Sequence, residues 1–229
     1  MKITHSLVVL AASASMIAHS SPAAAEELAR VSVDRTPVGE IVVSYTPRLA
    51  KLINETFIVP EAEIKTVEVL RTRLGESPQW YRVVYSEGPS VDPEFIIYSE
   101  TGGKQREVFR EFGLSLRLPG DGFVYVSGHT NDFFDKTRKF AVGPEGAVEV
   151  KQPFYFVGIT TTALEDLDLI DSTASSNVVA TVAKGEKVMV VLNQGDFYLV
   201  RASNGLVGWV SLKQNGTATQ FEDINYAGD

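Results

Sequence analysis

A mainly β fold is predicted by this sequence: a β-rich N-terminal domain with one short helix, followed by a small β-barrel. Three observations predict it. Short runs rich in valine, isoleucine, threonine, tyrosine and phenylalanine recur along the chain, and these residues suit the pleated, half-buried surface of a strand. Between them stand turn residues with a mechanism, Pro119-Gly120-Asp121-Gly122 and Gly143-Pro144-Glu145-Gly146, where glycine tolerates positive φ and proline presets the first turn position. Helical periodicity with clear start and stop signals is sustained in one segment only. With 229 residues, 44% of them hydrophobic and 22% charged, the chain has material for one or two cored domains and is too apolar for disorder.

Residues 1–25 read as a cleaved export signal. Lys2 supplies the positive start, 7–17 is largely apolar, and Ala23-Ala24-Ala25 offers a small-residue cleavage site before Glu26. That apolar stretch falls well short of the ~20 residues a membrane span needs. The β-rich domain follows over 26–157, with strands expected at 30–34, 40–45, 63–70, 80–86, 94–99, 123–127, 139–142 and 147–150. The helix is expected where Thr46 can cap, Pro47 suits the first helical position, and Leu49, Leu52, Ile53 and Phe57 recur at helical spacing before Pro60. It would pack on a sheet face. At 104–112, Val108, Phe109 and Phe112 fit a helix and a strand equally. Gln152-Pro153-Phe154-Tyr155-Phe156 reads as an aromatic connector. The tail, 214–229, is expected to dock back on the barrel through Phe221, Ile224 and Tyr226.

Composition removes several functions. Lys and Arg total 21 against 29 Asp and Glu, a net charge of -8, so no basic field exists to gather nucleic acid. A cysteine count of zero removes disulfides, thiolate metal sites, cysteine nucleophiles and a lipid-anchoring N-terminal cysteine. His5 and His19 would leave with the signal, so a metal or hydrolytic site would have to use His129. Its loop holds two further oxygen donors, Asp132 and Asp135, yet a turn rich in Asn, Asp and glycine explains the same residues. P-loop, Rossmann and nucleophile-elbow patterns are absent, and no catalytic residue, metal or cofactor is assigned.

The C-terminal third is more specific. An opening strand at 167–170 precedes a polar Ser/Thr loop, and 178–182 leads into the turn Lys184-Gly185-Glu186. The alternating run 187–192 comes next, then the hairpin Gln194-Gly195-Asp196 and the aromatic strand 197–201. Asn204-Gly205 is a type I′ hairpin signal, and Gly208-Trp209-Val210 closes the set. In this order the motifs resemble the bacterial SH3-like (SH3b) domain, over about 158–213. The resemblance implies a small, partly open five-stranded barrel. It also implies a noncatalytic binding or targeting module, often associated with peptidoglycan or its cross-bridge peptides. Where the family usually has Leu-Asn-Val-Arg and then Ser-Gly-Pro, this chain has Leu167-Asp168-Leu169-Ile170 and Asp171-Ser172-Thr173. The barrel therefore carries over better than the ligand.

The candidate ligand-binding residues are Asp168, Asp171, Tyr198 and Trp209. Aromatic faces stack on peptide or sugar rings, which suits Tyr198 and Trp209 to a groove. Trp209 and Phe197 are also expected to fill the barrel, and a core Trp209 would cost about 3–5 kcal/mol on truncation. The acids Glu165, Asp166, Asp168 and Asp171 are either a solvated loop or a negative wall that favours a basic ligand.

These readings together predict an exported, noncatalytic binding protein of the periplasm or medium. Its SH3b-like module would take an envelope peptide, protein or peptidoglycan. Two alternatives stand beside it: a peptidoglycan hydrolase or other envelope enzyme targeted by the module, and a periplasmic inhibitor or assembly partner.

Overall fold

The structure, a computed structural model, describes residues 27–59, 64–88, 92–101, 104–129 and 131–226. The expected signal at 1–25 lies outside the described residues. Strands β1 (Ala29–Thr36) and β2 (Gly39–Tyr45) form an antiparallel hairpin. At the end of β2 the chain turns a corner. Thr46, buried, donates its hydroxyl to the Pro119 carbonyl at 2.7 Å instead of capping a helix. Pro47–Leu49 makes a single 3-10 turn.

The expected helix is not formed: residues 50–59 are strand β3 (Ala50–Val59), paired along β4 (Ile64–Thr72). Leu49 is fully buried whereas Leu52 is exposed, so the helical spacing did not mark a buried stripe. A bulge between Leu52 and Glu55, with Asn54 at φ 59°, bends the strand, and the residues beyond it continue the ladder. Strands β5 (Tyr81–Ser86), β6 (Glu94–Thr101) and β7 (Lys104–Phe112) complete an antiparallel meander in the order β3-β4-β5-β6-β7. The undecided segment 104–112 is thus a strand.

The chain then returns to the first sheet. Strands β8 (Ser115–Leu118), β9 (Phe123–Ser127), β10 (Arg138–Gly143) and β11 (Gly146–Glu149) extend it to the order β1-β2-β8-β9-β10-β11, with β2 and β8 parallel. The two sheets share one buried core. Ile41, Val43, Leu116, Val124, Val126 and Phe140 face Val67, Val69, Val83, Tyr85, Phe95, Ile97 and Phe109. Phe109 and Phe140 meet edge to face across the gap at 5.1 Å.

Six further strands form a third sheet around a second core. They are β12 (Tyr155–Thr162), β13 (Leu167–Ile170), β14 (Val178–Val182), β15 (Lys187–Gln194), β16 (Phe197–Arg201) and β17 (Val207–Ser211), in the order β12-β15-β16-β17-β13-β14. The hydrogen-bonded ladder is open between β12 and β14, so a closed barrel is not formed. The connector Phe154-Tyr155-Phe156 leads into β12, one strand more than the five expected. Beyond β17 a short hairpin, β18 (Gln214–Asn215) with β19 (Ala218–Thr219), turns the tail back. Phe221 bridges to Ala163, and Phe221 and Ile224 are fully buried in the second core, with Tyr226 packed beside them.

The second core also takes two residues from the N-terminal part of the chain. The connection between β9 and β10 leaves the first sheet and places Phe133 and Phe134 among the buried residues of the third. Phe134 meets Tyr198 edge to face at 6.1 Å, and Phe133 meets Tyr226 in the same way at 5.6 Å.

Candidate binding face

Strand register decides which side chains of the third sheet meet solvent. Tyr198 opposes Asn193 and Val210, while its neighbour Leu199 opposes Leu192 and Trp209. Directly opposed residues share a face. Tyr198, Val200, Val190, Leu169 and Val182 point into the core. On the outward side a single cross-strand row runs Phe156, Leu192, Leu199, Trp209, Ile170, Val178 through all six strands. The row is half-buried in its middle and exposed at both ends, with Phe156 at 69%.

This placement corrects two expectations. Tyr198 is 1% exposed, and burial pushes its phenol well above the ordinary tyrosine range, so its ring offers no face to a ligand. Trp209 and Phe197 are half-buried on the outward side and do not belong to the core. Trp209 instead lies against Phe154, their rings 6.4 Å apart and tilted by 30°. The glycine before it has a packing reason. A Cβ at Gly208 would come within 2.8 Å of Leu169 Cβ and 2.9 Å of the Ile170 carbonyl, so only glycine lets β17 lie this close to β13.

The turns around the row are built by local chemistry. Gly185 at φ 87° closes the turn from Ala183 to Glu186, and the Glu186 carboxylate accepts from the Ser203 hydroxyl at 2.5 Å and the Ala183 N–H at 3.3 Å. The Ser203 hydrogen bond holds the Glu186 carboxyl below its usual range. Asn193, buried, donates to the carbonyls of Gly195 and Phe197 and fixes the β15–β16 hairpin. Asn204-Gly205 is not a type I′ turn. Gly205 alone takes positive φ, its N–H bonds to the Ala202 carbonyl and Ala202 N–H bonds to Leu206, the pattern of a type I turn followed by a glycine bulge.

The acidic run is occupied from within. Glu165 pairs with Lys213. Asp166 accepts the Lys184 N–H at 2.8 Å. Asp171 is exposed but tied to its own loop: hydrogen bonds from the Ser175 hydroxyl and the Asn177 amide hold its carboxyl below the usual range. Asp168 is exposed opposite Thr181. The loop therefore spends most of its carboxylates on its own structure.

His129 and its neighbouring acids are not gathered into one site. His129 Nε2 lies 3.1 Å from Asp92, while Asp132 binds Lys136 at 3.1 Å and the Phe133 N–H at 2.8 Å. The loop's positive-φ residues His129 (46°) and Asn131 (52°) turn the chain so that Phe133 and Phe134 reach the second core. Among the described residues no group of three His, Cys, Asp or Glu is placed to hold a metal ion.

Residues 172–215 match the family model of the bacterial SH3 domain. The matched segment begins after β13, so β12 and β13 belong to the same sheet but precede the match. Such domains are associated in general with cell-wall or peptidoglycan binding. The N-terminal region has no recognised family. No curated protein and no solved structure matches the chain.

Proposed function

We propose that this chain is an exported, noncatalytic binding protein of the cell envelope, and that its SH3-like sheet engages an envelope peptide or peptidoglycan through the outward row centred on Trp209. The observation that carries the reading is the coincidence of the bacterial SH3 match at 172–215 with a continuous apolar row on the solvent side of the same sheet. Scattered exposed apolar residues are ordinary, whereas a row across six strands with a ring pair, Trp209 and Phe154, is a surface suited to recognition.

The test is sedimentation of the purified chain with isolated sacculi or envelope fragments. The Trp209→Ala, Phe154→Ala double variant is expected to stay folded and to lose most of the bound fraction. Retention equal to the wild type would remove the row from binding. Export is tested separately: osmotic shock is expected to release a product whose intact mass begins at Glu26, and a full-length cytoplasmic product would overturn it.

A further inference from the structure

The outward face of the SH3-like sheet continues beyond the Trp209 row into a cavity of about 470 Å³ lined by Thr160, Lys187, Met189, Arg201, Ser203 and Asn204. Of the four cations after Ala163, Lys213 pairs with Glu165, and Lys184 does not line the cavity. Lys187 and Arg201 do line it. Both are exposed, and neither lies within ion-pair distance of a carboxylate among the described residues. Register places them together: Arg201 opposes Met189, and Lys187 is two residues from Met189 on the same side of β15. Glu186, the nearest acid in sequence, is turned to Ser203 and the Ala183 N–H. The cavity thus presents a guanidinium, an ammonium and the Thr160 hydroxyl, while the Glu186 carboxylate at its rim is already engaged by the Ser203 hydroxyl and N–H and by the Ala183 N–H.

The apolar row lies next to it. Arg201 is two residues from Leu199, about 7 Å along the strand. We propose that the Lys187–Arg201 cavity takes a carboxylate of an extended peptide whose apolar side chains lie on Leu199 and Trp209. The inference rests on the reading of that face as the binding surface. It opposes the basic ligand that the acidic run suggested, because three of those four acids, Glu165, Asp166 and Asp171, already have partners in the chain. Charge complementarity selects the occupant: an anionic peptide places its charge on two unpaired cations. A basic one would place its charge against them. Exposed ion pairs contribute modestly, so the carboxylate sets selectivity and the apolar row sets affinity.

The experiment is a ¹H–¹⁵N chemical-shift titration of the mature chain with three probes. These are N-acetyl-Ala-Leu-Leu-Glu with a free C-terminus, its Gln analogue as the C-terminal amide, and its Lys analogue as the C-terminal amide. The acidic peptide is expected to shift the amides of Met189, Leu199, Arg201 and Ser203 and to bind about fivefold to tenfold more tightly than the neutral one. The Lys187→Gln, Arg201→Gln variant, altered only at exposed positions, is expected to erase that difference. Equal affinity for the acidic and neutral peptides, with shifts still on this face, would overturn the carboxylate site and leave the apolar face standing. Tighter binding of the lysine peptide would overturn it in favour of Asp168 and Asp171. No binding at millimolar peptide, or shifts confined to other sheets, would overturn both the cavity and the face.

Discussion

A Phe134→Ala protein is expected to lose about 3–5 kcal/mol of stability, the range for truncating a buried phenylalanine, and to lose it from the C-terminal sheet. Phe134 is 5% exposed although it belongs to the connection between β9 and β10, and its ring closes on Tyr198 inside the second core. None of the residues buried between the first two sheets is its neighbour in that cluster. Two tryptophans make the effect separable, since Trp80 sits beside β5 and Trp209 on β17. Denaturant unfolding monitored in Trp80→Phe and Trp209→Phe backgrounds should show the Trp209 transition moving to lower denaturant and the Trp80 transition holding its midpoint. A shift under ~1 kcal/mol would mean that Phe134 does not fill the second core. An equal shift of both signals would mean that the two cores unfold as one.

Phe133 and Phe134 also show where the sequence stopped being legible. The stretch 128–135 reads locally as a turn with metal-donor types, and Gly128, His129, Asn131, Asp132 and Asp135 all support that reading. Its two aromatic residues take their meaning from Tyr198 and Tyr226, which lie more than 60 positions away in sequence, and no local pattern encodes such a contact. The segment after Thr46 failed for a related reason. Its spacing is helical, but the partner for its backbone is β4, and strand pairing overrode propensity. What depended on local chemistry was legible: the glycine turns, the strand runs, the returning apolar tail and the order of the SH3-like motifs, whose match covers 172–215. The candidate site was half legible. Trp209 stands on the outward face as one of its expected roles required. Tyr198 does not, because alternation along β16 has period two and a shift of one residue exchanges the faces. Phe156 read only as part of a connector, and Lys187 and Leu192 only as part of an alternating strand. Their importance comes from register across strands.

The face assignment is itself testable through stability. Tyr198→Ala is expected to cost about 3–5 kcal/mol, because it removes a ring that is almost wholly enclosed and that supports Phe134. Tyr198→Phe keeps the ring and is expected to cost less than ~1.5 kcal/mol, the scale of one hydrogen-bonding group. Trp209→Ala removes a larger side chain, yet one whose burial is partial and whose ring partner is the exposed Phe154, so its cost should be on the order of 1 kcal/mol. Size alone would rank the two alanine variants the other way. Urea midpoints of the three variants decide the matter: Tyr198→Ala well below Trp209→Ala places the tyrosine inside and the tryptophan on the binding side. The reverse order would turn β16 and β17 over and take the apolar row off the surface.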